Sequence, residues 1–450
     1  MLPGFSEHAY WLEGLPQPPE LPSQPLPQVD VAIVGSGYTG LNAAIETARG
    51  GRSTLVLDAG DPGWGCSTRN GGQISTSVKP SLDKLSARYG AERARAIRQE
   101  GQNALDWIER RIAQEGIYCH FRRAGRFHAA HTPRHYEELV READELRQRE
   151  GIDSIVVPRS EQRSELGTDA YFGGVVYTRH ASINPAQYHR GLLKTALEAG
   201  AHVTGNCAVT GVVRDASGFL LDTEKGRVRA RDVIIATNGY TSRLTPWLRR
   251  RVIPIGSYII ATEELPVALV DELFPTDRIA SDTCKVVYYY RASPDRRRIL
   301  FGGRVSASET DPAASGPKLY DDMCRVFPEL RSYGVSHSWT RYRRLYLRRD
   351  GAHRGSQRHP LCNGLLRLGR LDGVLSRNAP GAEGAGPVRG AHGLRRSAVS
   401  DATPLQRPPL VSAGHRGLVP VARSEPTPAR PRGGPSDHPD GPGAKPSGMK

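Results

Sequence analysis

Sulfur and long apolar runs are what this chain has least of. Its 450 residues include three methionines and six cysteines. The cysteines (Cys66, Cys119, Cys207, Cys284, Cys324 and Cys362) stand far apart with no C-x-x-C pair. That spacing argues against a disulfide framework or a zinc site, and for buried thiols in a reducing compartment. No apolar run approaches the roughly 20 residues that span a bilayer. The N-terminal MLPGFSEHAYWLEGLPQPPELPSQPLPQ has neither a basic n-region nor an apolar h-region, so it does not read as a secretory signal. A soluble cytoplasmic protein without a membrane partner is the expectation. No Ser-His-Asp, metal-ligand or paired-carboxylate spacing stands out either, so no catalytic residue and no metal is assigned.

Acidic charge is scarce in one place only. The net charge of +15 would ordinarily point to nucleic acid or an anionic surface. From Arg341 onward, however, 18 Arg and 2 Lys face 7 acidic residues, a net of +13, and the first 340 residues are nearly neutral. The excess belongs to a tail that begins RYRRLYLRRD, in which Gly and Pro make up about 28% of 110 residues. Such composition, with no sustained helical or strand period, reads as disorder.

The body is patterned differently. A Pro-rich lead-in over residues 12–28 leaves Tyr10 and Trp11 as possible anchors. From Asp30, VDVAIVGSGYTGLNAAIETARGGRSTLVLDAG reads as an apolar strand, a Gly-rich turn, a helix with Leu41, Ala44, Ile45 and Ala48 at helical spacing, and a second strand. This is one βαβ unit. Helices are predicted over about 91–115, 134–149 and 186–199. AHVTGNCAVTGVVRD alternates like a strand pair, and VRARDVIIATNGY is a buried strand ending in a polar loop. Residues 252–305 read as the sheet of a second domain, and no internal repeat is visible.

Gly35, Gly37 and Gly40 form G-x-G-x-x-G between a strand and a helix. The first makes the tight turn, the second lets backbone approach a pyrophosphate, the third lets helix pack on strand, and the helix N-terminus favours phosphate. Asp58 closes the second strand, where a carboxylate accepts hydrogen bonds from a ribose. Dinucleotide binding follows, with NAD and FAD both open at this step. The next loop, GWGCSTRNGGQ (63–73), offers backbone N–H groups, the Ser67 hydroxyl, and Arg69 and Asn70 to anionic or carbonyl oxygens.

RNGGQ about 30 residues after the glycine motif resembles the FAD-dependent oxidoreductases of the D-amino-acid oxidase and glycine oxidase superfamily, most of all the gamma-glutamylputrescine oxidoreductase group. That group reads GASGRNGGQ here; this chain has Cys66 and Thr68 instead of Ala and Gly. IIATNGYTSRL (234–244), IPIGSYIIATEEL (253–265), YYYRASPDRRRILFGGR (288–304), FPEL and HSW are similar to further family segments, so the likeness covers roughly 8–340. It implies a discontinuous Rossmann-like α/β FAD domain (30–90 and 151–245), substrate-domain helices over 91–150, and a mixed-sheet α+β substrate domain over 246–340 returning to the FAD domain. It implies oxidation of an amine or amino acid by hydride transfer to flavin, with imine hydrolysis and electrons passed to oxygen or another acceptor. By the same resemblance Gly35, Ser36, Gly37, Gly40 and Asp58 hold the ADP half. Ser67, Arg69, Asn70, Gly71, Gly72 and Gln73 lie along the rest of the cofactor, Val209 presents backbone to adenine, and Ala236, Thr237 and Asn238 close over it. Arg291, after three tyrosines in an apolar strand, is a candidate anchor for a substrate carboxylate. Tyr258 is a candidate for the same pocket, whereas His180 and His337 read as loop or core histidines. A NAD-dependent dehydrogenase, and a nucleic-acid binder working through the arginines, are the rival readings.

The tail departs from the family at Thr340. Arg341–Arg354 can be encoded so that reading one base later gives GTVAYTFDEMAHI, and the shifted frame continues into GAANGIHYAMGYCGSGVSMASYLGM, with the missing Gly-rich turn. Codons for Gly, Ala, Val, Asp and Glu begin with G, so a preceding C turns them into arginine codons. The pattern points to a frameshift at or just after Thr340, an unstructured tail from 341 to 450, and weak flavin retention.

Overall fold

A computed structural model describes residues 4–250, 252–285, 287–303, 311–346, 353–354 and 361–362, with backbone alone for 252–255, 312–313 and from 341 on. The βαβ unit comes first: β1 (Gln28–Val34), α1 (Tyr38–Arg49) and β2 (Thr54–Leu57). A one-turn α2 (Cys66–Arg69), β3 (Gln73–Ile74), α3 (Leu82–Tyr89) and α4 (Ala91–Gln114) follow. Next come β4 (Arg126–Ala129), α5 (Pro133–Glu150), β5 (Ser154–Val157), β6 (Gly174–Tyr177), β7 (Ala181–Ser182) and α6 (Pro185–Glu198). The chain continues through β8 (His202–Thr204), β9 (Val209–Asp215), β10 (Gly218–Thr223), β11 (Gly226–Ile235), α7 (Pro246–Arg249) and β12 (Val252–Thr262). It closes with α8 (Val267–Leu273), β13 (Ile279–Asp282), β14 (Tyr289–Ala292), β15 (Ile299–Gly303), α9 (Pro312–Val326), β16 (Val335–Tyr346), β17 (His353–Arg354) and β18 (Leu361–Cys362). None of the described helices is long and apolar enough to cross a membrane.

Two sheets carry the fold. In the first, β11, β1, β2 and β8 run parallel side by side; β10 pairs antiparallel with the start of β11 and β9 with β10, while β18 pairs with the end of β11. The unbroken apolar run of β1 suits a strand covered on both faces: α1, α4 and α6 bury Leu41, Ala44, Leu105, Ile108, Leu192 and Leu193 against one side with Val31 and Ile33. Ala32, Leu55 and Val233 pack with Phe219 and Leu221 on the other. In the second sheet the order is β16-β12-β15-β14-β13-β4-β6-β5, antiparallel except where β13 meets β4. The β3–β7 ribbon, pairing Gln73 with Ser182, is a third, separate pairing.

Helices over 91–114, 133–150 and 185–198 match the periodicity, and Trp11 is buried as an N-terminal anchor. Three expectations are corrected. β8 and β9 do not pair with each other: β8 takes β2 and β9 takes β10, because the intervening 205–208 carries the chain away from the parallel sheet. The span 151–245 does not begin in the nucleotide domain, since β6 pairs with β4, and β5 with β6, in the second sheet. The 91–150 helices divide: α5 packs on β6 through Leu139 and Ala143, while the C-terminal half of α4 packs on the nucleotide-domain core. Strand β16 continues past Arg341, its Arg341–Tyr346 backbone pairing with Val252–Ser257. Apart from that strand and the short β17 and β18, the tail lies outside the described residues, and so does the expectation of its disorder.

Candidate active site

The glycine turn is built from close backbone approach. Gly35 has φ +104°, and a Cβ there would lie 2.8 Å from the Ala236 carbonyl oxygen at the end of β11. At Gly40 a Cβ would stand 1.8 Å from the Gly35 carbonyl oxygen, so only glycine lets α1 meet β1 here. The Ser36 N–H and hydroxyl donate to Asp58 Oδ2 at 2.7 and 2.5 Å, while Gly60 N–H and Trp64 Nε1 donate to Oδ1 at 3.2 and 3.0 Å. A carboxylate has about four acceptor positions, so Asp58 is filled by protein donors. Trp64, 40% exposed, leans on Tyr240 at 4.8 Å. His189, buried on α6, donates from Nε2 to the Ser36 carbonyl at 2.8 Å, and burial pushes its pKa down to about 4.

The 63–73 loop is tied from within and from the second sheet. Tyr38 N–H donates to Ser67 Oγ at 3.1 Å. Thr68, the departure from the family pattern, donates its hydroxyl to the carbonyls of Gly63 and Gly65, bracing the loop across its width. Asn70 donates to the carbonyls of Cys66 and Ser67 and accepts from Gly72 N–H at 3.1 Å. Trp339 Nε1 of β16 donates to the Arg69 carbonyl at 2.9 Å, and Gln73 Nε2 donates to the carbonyls of Ala280 and Tyr290. Cys66 and Cys284 are half-buried, against the expectation of buried thiols: Cys66 opens the one-turn α2 and Cys284 follows the end of β13; Cys119, Cys207 and Cys324 are buried.

One cavity of about 550 Å³ joins this loop to the face of the second sheet. Gly37, Tyr38, Ser67, Asn70, Ala236 and Asn238 line one end. Gln73, Ser75, Thr76 and Tyr289, whose ring lies against Gly71, line it next, and Arg126, His128, His180 and Ser281 line it farther along the second sheet. Of the sequence candidates, Gly37, Ser67, Asn70, Gly71, Gln73, Ala236 and Asn238 line the cavity. Gly35, Ser36, Gly40, Asp58, Arg69, Gly72 and Thr237 stand behind it as the supporting turn and loops. Val209 begins β9, two residues after Cys207, whose N–H donates to the Asp58 carbonyl at 2.8 Å.

Two substrate candidates are not brought to the cavity. Arg291 is buried behind the loop, donating to the carbonyls of Gly72 and Ile183 at 3.3 and 3.2 Å and standing 5.7 Å from the Trp11 ring centroid. A guanidinium offers several donors in one plane, and here they bridge backbone segments. Tyr258, 1% exposed, belongs to the core of the second sheet with Ile260, Phe301 and Phe327. His180, read as a loop or core histidine, does line the cavity, and its Nδ1 is buried without a partner among the described residues. Arg126, His128, Ser281 and Tyr289 escaped the sequence reading. The one available signal was the alternation of β4, RFHA, which puts Arg126 and His128 on one face. Burial, then Arg126, pushes the His128 pKa down to about 3, and burial holds that of His180 well below its ordinary value, so both are neutral near pH 7.

A glycine-built βαβ cradle opening through one cavity onto a second sheet defines a dinucleotide-binding protein with room for a second ligand. The model of the FAD dependent oxidoreductase (DAO) family matches residues 30–371, and the chain belongs to that family. It is similar to the gamma-glutamylputrescine oxidoreductase of Escherichia coli, 30% identical over 313 residues covering 69% of this chain and 72% of that protein. The probable oxidoreductase OrdL of Haemophilus influenzae is 29% identical over 345 residues, covering 74% and 78%. Among solved structures, glycine oxidase from Geobacillus kaustophilus superposes with a TM-score of 0.65 at 19% identity, covering 78% of this chain and 93% of that one. The cofactor is therefore FAD, the nicotinamide reading falls away, and the protein is an oxidoreductase of the amine and amino-acid oxidase type.

Proposed function

We propose that the enzyme oxidises the carbon–nitrogen bond of a small amine, of the kind named for its gamma-glutamylputrescine oxidoreductase relative, in the cavity between the glycine turn and the second sheet. The observation that carries this reading is the continuity of that cavity from Gly37 and Asn70 to the Tyr289, Ser281 and His128 face. The donor set fits FAD. Arg69 Nε and Asn238 Oδ1 are buried without partners among the described residues, and each suits a polar group brought by a ligand. Gly35, Ser36, Gly37, Gly40 and Asp58 would hold the ADP half, with the Val209 backbone at adenine. Ser67, Arg69, Asn70, Gly71, Gly72 and Gln73 would follow the pyrophosphate, ribityl chain and ring, and Ala236, Thr237 and Asn238 would cover them.

Bound FAD supplies the two-electron acceptor for the C–H bond next to nitrogen. The chain's own residues do the rest. The sheet excludes water from one side of the cavity, Tyr289 is fixed by a hydrogen bond of its hydroxyl with Ser257 Oγ at 2.7 Å, and His128 and His180 present neutral imidazoles that leave an amine its unprotonated form. The imine then adds water to give an aldehyde and ammonia, and the electrons reach an acceptor such as oxygen, with peroxide released. The test is FAD-loaded full-length protein mixed anaerobically with a panel of amines. Bleaching of the flavin absorbance by an amine, then peroxide on admitting air, is expected; no bleaching by any member of the panel refutes the reading.

A further inference from the structure

We infer that Arg126 is the anchor for a carboxylate at the far end of the substrate, so that the enzyme selects amines whose end remote from the reacting carbon is anionic. The inference rests on the amine-oxidation reading above and deepens it. Arg126 lines the cavity and forms no ion pair or side-chain hydrogen bond with any described residue; its Nε is buried without a partner. Its guanidinium carbon stands 4.9 Å from the Tyr177 ring centroid. The other cavity cations are matched. Arg98 is paired with Glu150 at 2.7 Å, Arg179 with Asp106 at 2.9 Å, and Lys79 stands 3.8 Å from Glu142. Glu142 acts on Arg126 through its charge without forming an ion pair with it, so the guanidinium keeps donors to spare, and an entering carboxylate that accepts from its fork relieves the cost of its burial. His128 and His180 add no competing positive charge beside it, since both are neutral near pH 7, and His180 Nδ1 is a further free polar atom for the same carboxylate.

The sheet sets the spacing. Ser281 pairs with both Tyr289 and His128, so β14, β13 and β4 are successive neighbours, and Arg126 is two residues from His128 on the same face. Two strand spacings and one two-residue step along β4 place Arg126 about 12 Å from Tyr289. A Cβ on Gly71 would lie 2.9 Å from the Tyr289 ring, which puts Tyr289 at the cofactor end of the cavity. An extended chain of about nine bonds between amine and carboxylate spans that gap, as in an amide of a diamine with a dicarboxylic acid.

The test compares N-succinylputrescine with N-butanoylputrescine, which replaces the carboxylate by a methyl group, on the FAD-loaded full chain. Arg126→Gln is expected to raise KM for the succinyl compound about 30-fold or more while leaving kcat and the butanoyl compound nearly unchanged, the loss usual for one half of a buried charge pair. Arg126→Lys recovers part of the loss. N-butylsuccinamate, which has the carboxylate and no amine, is titrated calorimetrically into both proteins and loses affinity by the same factor. Equal KM for the two amides in the parent enzyme, an Arg126→Gln effect equal on both, or no binding of N-butylsuccinamate overturns the inference. Arg126-dependent binding of N-butylsuccinamate without oxidation of either amide sustains the carboxylate site and refutes amine oxidation.

Discussion

Replacing Arg291 by Met separates a strut from a substrate anchor. The guanidinium donates to the carbonyls of Gly72 and Ile183, and so ties the 63–73 loop to β14 behind the cavity. Hydrogen bonds from charged donors contribute about 1.5–3 kcal/mol each, and at 3.2–3.3 Å these two belong in the lower half of that range. The Gly72 carbonyl keeps the Ile183 N–H at 2.8 Å, so losing both bonds, with the Trp11 contact, costs about 3–4 kcal/mol. In a chain of this size that lowers Tm by about 5–10 °C. Flavin retention falls with it, because the lost bond is one of three that hold Gly72 at φ +69°, beside those with the Ile183 N–H and Asn70 Oδ1. Scanning fluorimetry of the two proteins and their flavin-to-protein ratio after gel filtration are the measurements. A variant with unchanged Tm whose KM rises for carboxylate-bearing amines alone would show that Arg291 faces substrate after all.

Gly40→Ala puts a methyl about 1.5 Å inside normal carbon–oxygen contact with Gly35. The clash involves backbone, so the cost exceeds the usual 1–3 kcal/mol of overpacking; little soluble, flavin-bearing protein is expected, and a yellow variant of normal Tm refutes it. Asp58 is filled by four protein donors, so a ribose hydroxyl must displace one, and exposed Trp64 is the easiest to move. Its fluorescence is expected to change when FAD is added to apoprotein, with Trp64→Phe abolishing that change; an identical signal in the variant rules out the exchange. Buried His189 and His128, with folded pKa values near 4 and 3 against about 6.5 unfolded, are neutral in the native state. As pH falls from 6.5 toward 4 the unfolded chain takes up protons first, so stability drops by up to about 1.4 kcal/mol per pH unit for each; urea titrations showing constant stability across that window contradict this. Resequencing the gene across the Thr340 codon is expected to show an insertion or deletion of a base, and an intact frame there rejects the shift.

Much of the nucleotide half was legible because its constraints are local. A buried parallel strand is an unbroken apolar run, a tight turn onto a helix needs glycine at Gly35 and Gly40, and amphipathic helices repeat every 3.6 residues, so the βαβ unit and the three long helices could be placed from the chain alone. The tail's change of grammar at Thr340 is likewise a property of the sequence. What only the tertiary structure decided is which polar side chains share a cavity. Arg291 and Arg126 both lie in short strands of one sheet, and nothing in their own segments says that one faces backbone carbonyls and the other open space. That outcome depends on β4 entering between β13 and β6, on β5 and β6 leaving the nucleotide domain, and on a loop more than 200 residues away closing over Arg291. Burial and pairing are properties of neighbours, and neighbours distant in sequence are set by packing rather than by the periodicity of any single strand.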